Sequence, residues 1–390
     1  MSSLVPTPAF IIDLDKIEAN LRTLAEVKEQ ANCRIVLALK AFSLWQTFPL
    51  ISRYLDGCCA SGVYEAQLSH EHMGKHTLTY SPAYKREEIE QLLTFSTHID
   101  FNSIQQWKCF KDLCLTHPRY LAGEIQFGMR INPEHSTGAT EKYDACSPFS
   151  RLGATKKTIR NADLTGISGL HFHTLCEQYT EDLESTLEAI DHRFGDILMS
   201  PEITWLNMGG GHWITKPDYQ REKLIHLIKK VKERYDLKEI WLEPGEAVVI
   251  HAGTLESTVL DLVENGKNTI AVLDISPTAH MPDTLEMPYH PVIIDAQENQ
   301  LVTADQHVEN SYSYYIGGLT CLAGDQLGPY HFSRELQIGD RLIFDDMAQY
   351  TMVKTTMFNG VPHPSILLKQ GEKTETVKTF NYNDFKSKFS

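Results

Sequence analysis

Eight short apolar runs, most of them separated by stretches of helical periodicity, constrain this chain more than any other feature. They occupy residues 35–39, 57–61, 77–81, 98–101, 124–131, 167–173, 203–208 and 240–243. Each has strand length. Helix-like stretches such as 85–95 and 218–235 lie between them. Repeated βα alternation predicts a parallel sheet, and eight units is the number that closes a (β/α)₈ barrel. A doubly wound open sheet is the competing arrangement.

The pattern differs at both ends. Residues 7–12 read as a strand, and a helix opens at Asp13 to Asp15, with Glu18 in capping-box position relative to Asp15. Ile17, Leu21, Leu24 and Val27 share one face of that helix. After Pro244, strand-like runs crowd together at 253–263, 269–275, 291–295, 312–316, 340–344, 349–354 and 365–368. No long helical pattern separates them, which predicts an antiparallel β domain. The expected division is a barrel over 14–250 and a β-sandwich or barrel-like domain built from 1–13 and 251–390.

Composition narrows the partners. The net charge of −15 argues against nucleic acid and favours a small cationic ligand. No stretch is long enough to span a bilayer. Residues 1–6 lack the basic and apolar blocks of a signal peptide. Eight scattered cysteines without a CxxC pair fit a reducing cytoplasm.

In a barrel, chemistry sits where strands run into their following loops. Lys40 ends the first run. It either snorkels into water or is desolvated there to serve as a neutral amine nucleophile. His171 and His173 end the sixth run on the same side. They could bind metal, pack in the core, or lie over a flat cofactor. Gly209, Gly210 and Gly211 end the seventh run, where barrels commonly hold phosphate, although a glycine run also serves a plain turn. Glu243 ends the eighth, before a Pro-Gly turn, and could instead be an ordinary salt-bridge partner. A lysine, a stackable imidazole, a glycine loop and a carboxylate together suit pyridoxal 5′-phosphate (PLP).

The ordered set resembles the alanine-racemase-fold PLP decarboxylases that act on ornithine, arginine and meso-diaminopimelate. Its carriers are Leu39-Lys40, Ala60-Ser61-Gly62, the 169–173 stretch, Met208 to Gly211, Glu243-Pro244-Gly245, Gly318 to Cys321, Gly339-Asp340, and Tyr350 with Phe358-Asn359-Gly360. The resemblance implies a PLP barrel joined to a β domain in a homodimer with sites at the subunit interface. It makes Lys40 the Schiff-base lysine, His173 the stacked histidine, Gly209 to Gly211 the phosphate loop and Glu243 the pyridine partner. Cys321 would reach the other subunit's site and protonate the α-carbon, and Tyr350 would touch phosphate or cofactor. Cys176 stands where relatives usually carry a phosphate-binding serine. No metal is implied.

Departures from the family pattern concern the substrate. Glu246 stands where relatives continue Glu-Pro-Gly with arginine, and Leu322 follows the cysteine where they carry an acid. With Leu319-Thr320-Cys321-Leu322-Ala323-Gly324-Asp325, the pattern most resembles the branch that decarboxylates carboxynorspermidine and carboxyspermidine in polyamine biosynthesis. That implies a carboxylated polyamine substrate, with Glu246 and Asp283 as expected partners of its tail amines. Diaminopimelate or another basic amino acid is the nearest alternative substrate. A racemase would need a second base that the spacing does not supply. A non-catalytic PLP carrier would lack the β domain, and an antizyme-inhibitor-like regulator would have lost cofactor residues.

Overall fold

The computed structural model describes residues 5–138, 140–304 and 311–390. Residues 1–4, on which part of the signal-peptide reading rests, lie outside that set. The chain divides into two compact units. One is Glu18–Val248; the other joins the described residues up to Ile17 with Val249–Ser390.

Strand β1 (Ala9–Asp13) leads into a helix, Leu14–Ala31. The helix start differs from expectation: Asp13, not Asp15, is the cap. Its Oδ1 accepts from the Asp15 and Lys16 N–H groups at 3.1 Å each. Glu18 instead accepts from the Tyr54 hydroxyl at 2.5 Å. Ile17, Leu21, Leu24, Val27 and Ala31 are all buried, which is the stripe that the periodicity marks.

The barrel unit contains β2 (Arg34–Ile35), β3 (Leu37–Ala38), β4 (Gly57–Ala60), β5 (His76–Tyr80), β6 (His98–Phe101), β7 (Gln126–Arg130), β8 (Ile167–His171), β9 (Trp205–Asn207) and β10 (Glu239–Leu242). All neighbouring pairs are parallel, in the order β2-β10-β9-β8-β7-β6-β5-β4-β3. The run expected as one strand over 35–39 is two short ones, and the break closes the barrel. β2 pairs with β10, β3 pairs with β4, and the Val36 N–H between them donates to Leu242 O at 3.0 Å. The parallel barrel therefore holds, and the open sheet does not.

Val36, Leu78, Trp205 and Trp241 form a buried cluster with Cys59 packed against it. Two glycines make room for Trp205: a Cβ on Gly169 would stand 2.0 Å from its ring, and one on Gly128 would stand 2.4 Å away. Packing density leaves no slack for either.

Buried histidines make this unit acid-sensitive. Burial lowers the His98 pKa to about 3 and the His212 pKa to about 4. Unfolded histidines titrate near 6.5, so below that pH the unfolded chain binds more protons than the folded one. The stability these groups contribute is complete above pH 6.5 and is lost as pH falls through the window toward 4 and then 3. The loss is on the order of 3 kcal/mol for His212 and somewhat more for His98. Thermal unfolding midpoints should drop steeply between pH 6.5 and pH 4. A flat profile over that range would contradict the assignment.

The second unit contains β1 with β11 (Gly253–Asn265), β12 (Asn268–Leu273), β13 (Ile293–Asp295), β14 (Gln300–Val302), β15 (Tyr312–Gly317), β16 (Gln326–Phe332), β17 (Arg341–Phe344), β18 (Ser365–Gln370) and β19 (Lys373–Lys378). Most pairs are antiparallel, as expected, but β1–β18 and β12–β15 run parallel, so the sheet is mixed. The expected strand over 349–354 is absent. Tyr350 has φ +53°, which breaks any extended run, and Met352–Lys354 forms a short 3₁₀ turn. Phe10, Leu255, Val259, Ala271, Ile293, Ile316, Tyr330 and Phe344 lie in one buried core. Among the described residues, no helix is long and apolar enough to cross a membrane.

Candidate active site

In the barrel unit, the polar residues at the strand ends converge. Lys40 follows β3 by one residue. The Leu39 N–H donates to Cys59 O at 3.0 Å, and the Ala41 N–H donates back to Ala38 O at 3.1 Å, so the chain turns at the lysine. Gly245 permits that turn: a Cβ there would stand 2.5 Å from the Ala41 Cβ. Lys40 retains accessible surface, yet dense protein surrounds it. Burial is the main cause that lowers its pKa, and Arg130 adds to the effect.

His173 lies between the lysine and the glycine triplet. Its Nε2 is 3.1 Å from Lys40 Nζ, and its Nδ1 accepts from the Gly210 N–H at 3.2 Å. Burial holds its pKa well below the usual value, with Lys40 and Arg130 contributing. A ring that accepts at Nδ1 carries its single proton on Nε2. That Nε2–H can face Nζ favourably only when the amine is uncharged. Hydrogen-bond geometry and desolvation therefore both favour a neutral, nucleophilic Lys40.

The triplet must be glycine throughout. A Cβ on Gly209 would meet Phe172 O at 2.5 Å, on Gly210 Glu243 O at 2.1 Å, and on Gly211 Leu175 O at 1.9 Å. Gly209 and Gly211 also have φ of +68° and +86°. Backbone here approaches so closely that only glycine fits, leaving a cradle lined by main-chain groups. The Gly209 N–H already donates to Asn207 Oδ1 at 2.9 Å.

Glu243 stands just past β10. Asn207 Nδ2 donates to its Oε1 at 2.6 Å, and its Oε2 lies 3.5 Å from His171 Nε2. The other side of that imidazole faces Asp100, with Nδ1 3.0 Å from Oδ2. Asp100 and His171 are almost fully buried, and burial raises the Asp100 pKa despite the histidine. Arg130 is buried between these groups; it donates to His173 O at 3.1 Å and lies 4.4 Å above the Tyr80 ring. Cys176 lies close enough to influence Lys40, and its N–H donates to Gln178 Oε1 at 3.2 Å. Glu246 opens the short helix Glu246–Val249.

The structure brings together Lys40, His173, the glycines and Glu243, the residues singled out from the sequence, and places Asp100, Asn207 and Arg130 beside them. Arg130 and Asn207 end β7 and β9, where the strand-end rule looks, whereas Asp100 is the penultimate residue of β6. Asn207, directly before the triplet, was the most visible.

The remaining candidates belong to the second unit. Cys321 is exposed on a loop held at two points. Its N–H donates to Asn359 Oδ1 at 2.9 Å. Beneath it, the buried Asp325 carboxylate accepts from Ser276 Oγ, the Thr278 N–H, the Thr320 N–H and Thr320 Oγ1 at 2.7–3.0 Å. Burial pushes the Asp325 pKa up, but these hydrogen bonds outweigh it and leave it below the usual value. Asp283 begins a short helix rather than lying in a loop, and Lys354 bonds both it and Glu286 at 2.5 and 2.8 Å.

Comparison with known proteins agrees with this arrangement. Residues 10–348 match the family model described as pyridoxal-dependent decarboxylase, C-terminal sheet domain. A carboxynorspermidine/carboxyspermidine decarboxylase of Campylobacter jejuni is 40% identical, covering 98% of each chain. A carboxyaminopropylagmatine decarboxylase of Synechocystis is also 40% identical, covering 99% of this chain and 96% of its own. Among solved structures, carboxynorspermidine decarboxylase from Campylobacter jejuni in complex with norspermidine superposes with a TM-score of 0.87. It is 38% identical and covers 98% of this chain and 100% of its own. The chain belongs to the pyridoxal-dependent decarboxylases. It is thus an enzyme that removes carboxyl groups with PLP as cofactor.

The residues present fit that cofactor. The side-chain-free cradle at Gly209 to Gly211 suits a phosphate, the desolvated Lys40 suits an aldehyde, and Glu243 offers a carboxylate to a ring nitrogen.

Proposed function

We propose that this enzyme decarboxylates carboxynorspermidine and carboxyspermidine, giving norspermidine and spermidine plus CO₂, in polyamine biosynthesis in the cytoplasm. The observation that carries this reading is similarity over the whole length of both chains to enzymes of that name. The acidic net charge supports it, since an acidic field concentrates a polycationic substrate.

The geometry supports the following roles. Bound PLP supplies the electron sink that lets the carboxylate leave as CO₂. Lys40 would hold the cofactor through its side-chain amine. His173, fixed as the Nε2–H tautomer, forms a flat plate beside Lys40. Gly211 offers an amide to phosphate, since those of Gly209 and Gly210 serve the protein's own hydrogen bonds. Cys176 borders that region, and the family resemblance makes Tyr350 a further candidate for cofactor contact. Glu243 would face the pyridine nitrogen and favour its protonated form.

Cys321 of a second copy would protonate the α-carbon, which makes the working form a homodimer. Exposed Leu319, Leu322 and Phe358 beside Cys321 and Asn359 support this, because an apolar rim around an exposed thiol suits a subunit contact. Mixing Lys40→Ala with Cys321→Ala chains should restore about a quarter of wild-type sites under random pairing. Absence of recovery despite demonstrated subunit exchange would refute the shared site.

Glu246 and Asp283 are the proposed tail readers, with the substrate amine competing with Lys354 for Asp283. Glu246→Gln should lower kcat/KM on carboxynorspermidine by roughly 30- to 4,000-fold and spare a tail-shortened analogue. Equal losses on both would mean that Glu246 only braces its turn. The Synechocystis relative motivates a second reading, a guanidinium-tailed substrate. CO₂ release from carboxynorspermidine, carboxyspermidine, carboxyaminopropylagmatine, diaminopimelate and ornithine decides between them.

A further inference from the structure

His171 is wedged between two carboxylates, and nothing in the proposed chemistry uses it. Both ring nitrogens are buried, Nδ1 3.0 Å from Asp100 Oδ2 and Nε2 3.5 Å from Glu243 Oε2. A neutral imidazole has one N–H and one lone pair, so it cannot donate to two ionised carboxylates. Three proton arrangements remove the conflict: both ring nitrogens protonated, Asp100 protonated and donating to Nδ1, or Glu243 protonated and donating to Nε2. Burial of Asp100 favours the second. In the first two, a proton on Nε2 faces Glu243 Oε2 across 3.5 Å, a charge–dipole contact looser than a formed hydrogen bond.

The neighbourhood is built to keep this geometry. Gly128 makes room for the Asp100 carboxylate, since a Cβ there would lie 2.1 Å from Oδ1. The Tyr80 ring meets His171 edge-on at 5.4 Å, with the Arg130 guanidinium over its face. His173, two residues along, belongs to the same charged neighbourhood. Asn207 holds Glu243 Oε1, so His171 is the group facing Oε2.

We propose that His171 and Asp100 are positioning residues. Asp100 fixes His171 with its proton on Nε2, and that N–H orients the Glu243 carboxylate toward the cofactor's ring nitrogen and stabilises its charge. This rests on the reading of Glu243 as the pyridine partner.

The test compares His171→Gln with His171→Phe. Glutamine retains a donor for Glu243 and an acceptor for protonated Asp100, whereas phenylalanine retains the ring's shape alone. The readouts are PLP dissociation constants and the pyridine nitrogen resonance of the holoenzyme carrying ¹⁵N-labelled PLP. The expected result is at least tenfold weaker PLP binding and a less protonated pyridine nitrogen in His171→Phe, with substantial recovery in His171→Gln. A phenylalanine variant equal to or better than the glutamine variant would show that the ring only fills space, and would overturn the proposal. Glu243→Gln separates the two levels. If it shifts the resonance while neither His171 variant does, the positioning role fails and the pyridine assignment stands. If it shifts nothing, the pyridine assignment fails and the proposal with it. Should either His171 variant not fold, a neutron structure of the wild-type holoenzyme decides instead. A hydrogen on His171 Nε2 supports the proposal, and a bare Nε2 overturns it.

Discussion

Lys40→Ala should reduce decarboxylation by about four orders of magnitude or more, because it removes the proposed Schiff-base lysine. The variant should still fold, since Lys40 lies in the turn after β3 and retains accessible surface. It should also still bind PLP without the covalent link, through the glycine cradle and Glu243. Borohydride treatment of wild-type protein, followed by peptide mapping, should place the pyridoxyl label on Lys40. A label on any other lysine would remove Lys40 from the centre of the mechanism. The depressed pKa of Lys40 adds a second expectation. At neutral pH, cofactor-free protein should react with PLP faster than a solvated lysine would, and Arg130→Ala should slow it by letting the pKa rise.

The second large effect belongs to Glu243→Gln. Glutamine preserves size but cannot stabilise a protonated ring nitrogen by charge, so kcat should fall by roughly 10²- to 10³-fold. KM should change little, because the carboxylate is the proposed partner of the cofactor rather than of the substrate. If Glu243 served only to brace Asn207 and His171, the variant would lose thermal stability while keeping most of its kcat. Kinetics and unfolding midpoints measured on the same preparation separate these outcomes.

Strand ends were the legible part of the site because in a parallel barrel they are fixed by topology. Once eight apolar runs are counted, Lys40, His173, the glycines and Glu243 follow without knowledge of distances. Asp100 was hidden for a physical reason. A single aspartate inside the short run His98–Phe101 looks like any solvated strand residue until burial and the approach of His171 are known. The break at Val36 was also invisible, since its apolar character continues the run. Only the two different pairing partners on either side of it reveal the join. In the second unit, alternation suggested a strand over 349–354, but periodicity carries no information about a tyrosine in the left-handed region. The parallel pairing of β1 with β18 was beyond reach, because it joins segments more than 350 residues apart whose patterns suit either direction.

That barrel seam has a consequence for how the enzyme is made. The segment that carries Lys40 completes its pairing only when Trp241 and Leu242 arrive, some two hundred positions later in synthesis. Loop closure over that distance is slow and gives nothing back until it is complete. While the ribosome is still working through the intervening helices, the lysine sits on an unpaired edge, its amine solvated and charged. It becomes a competent nucleophile only once the last strand has locked against Arg34 and Ile35. Nascent and truncated chains should therefore capture pyridoxal more slowly than the completed barrel does.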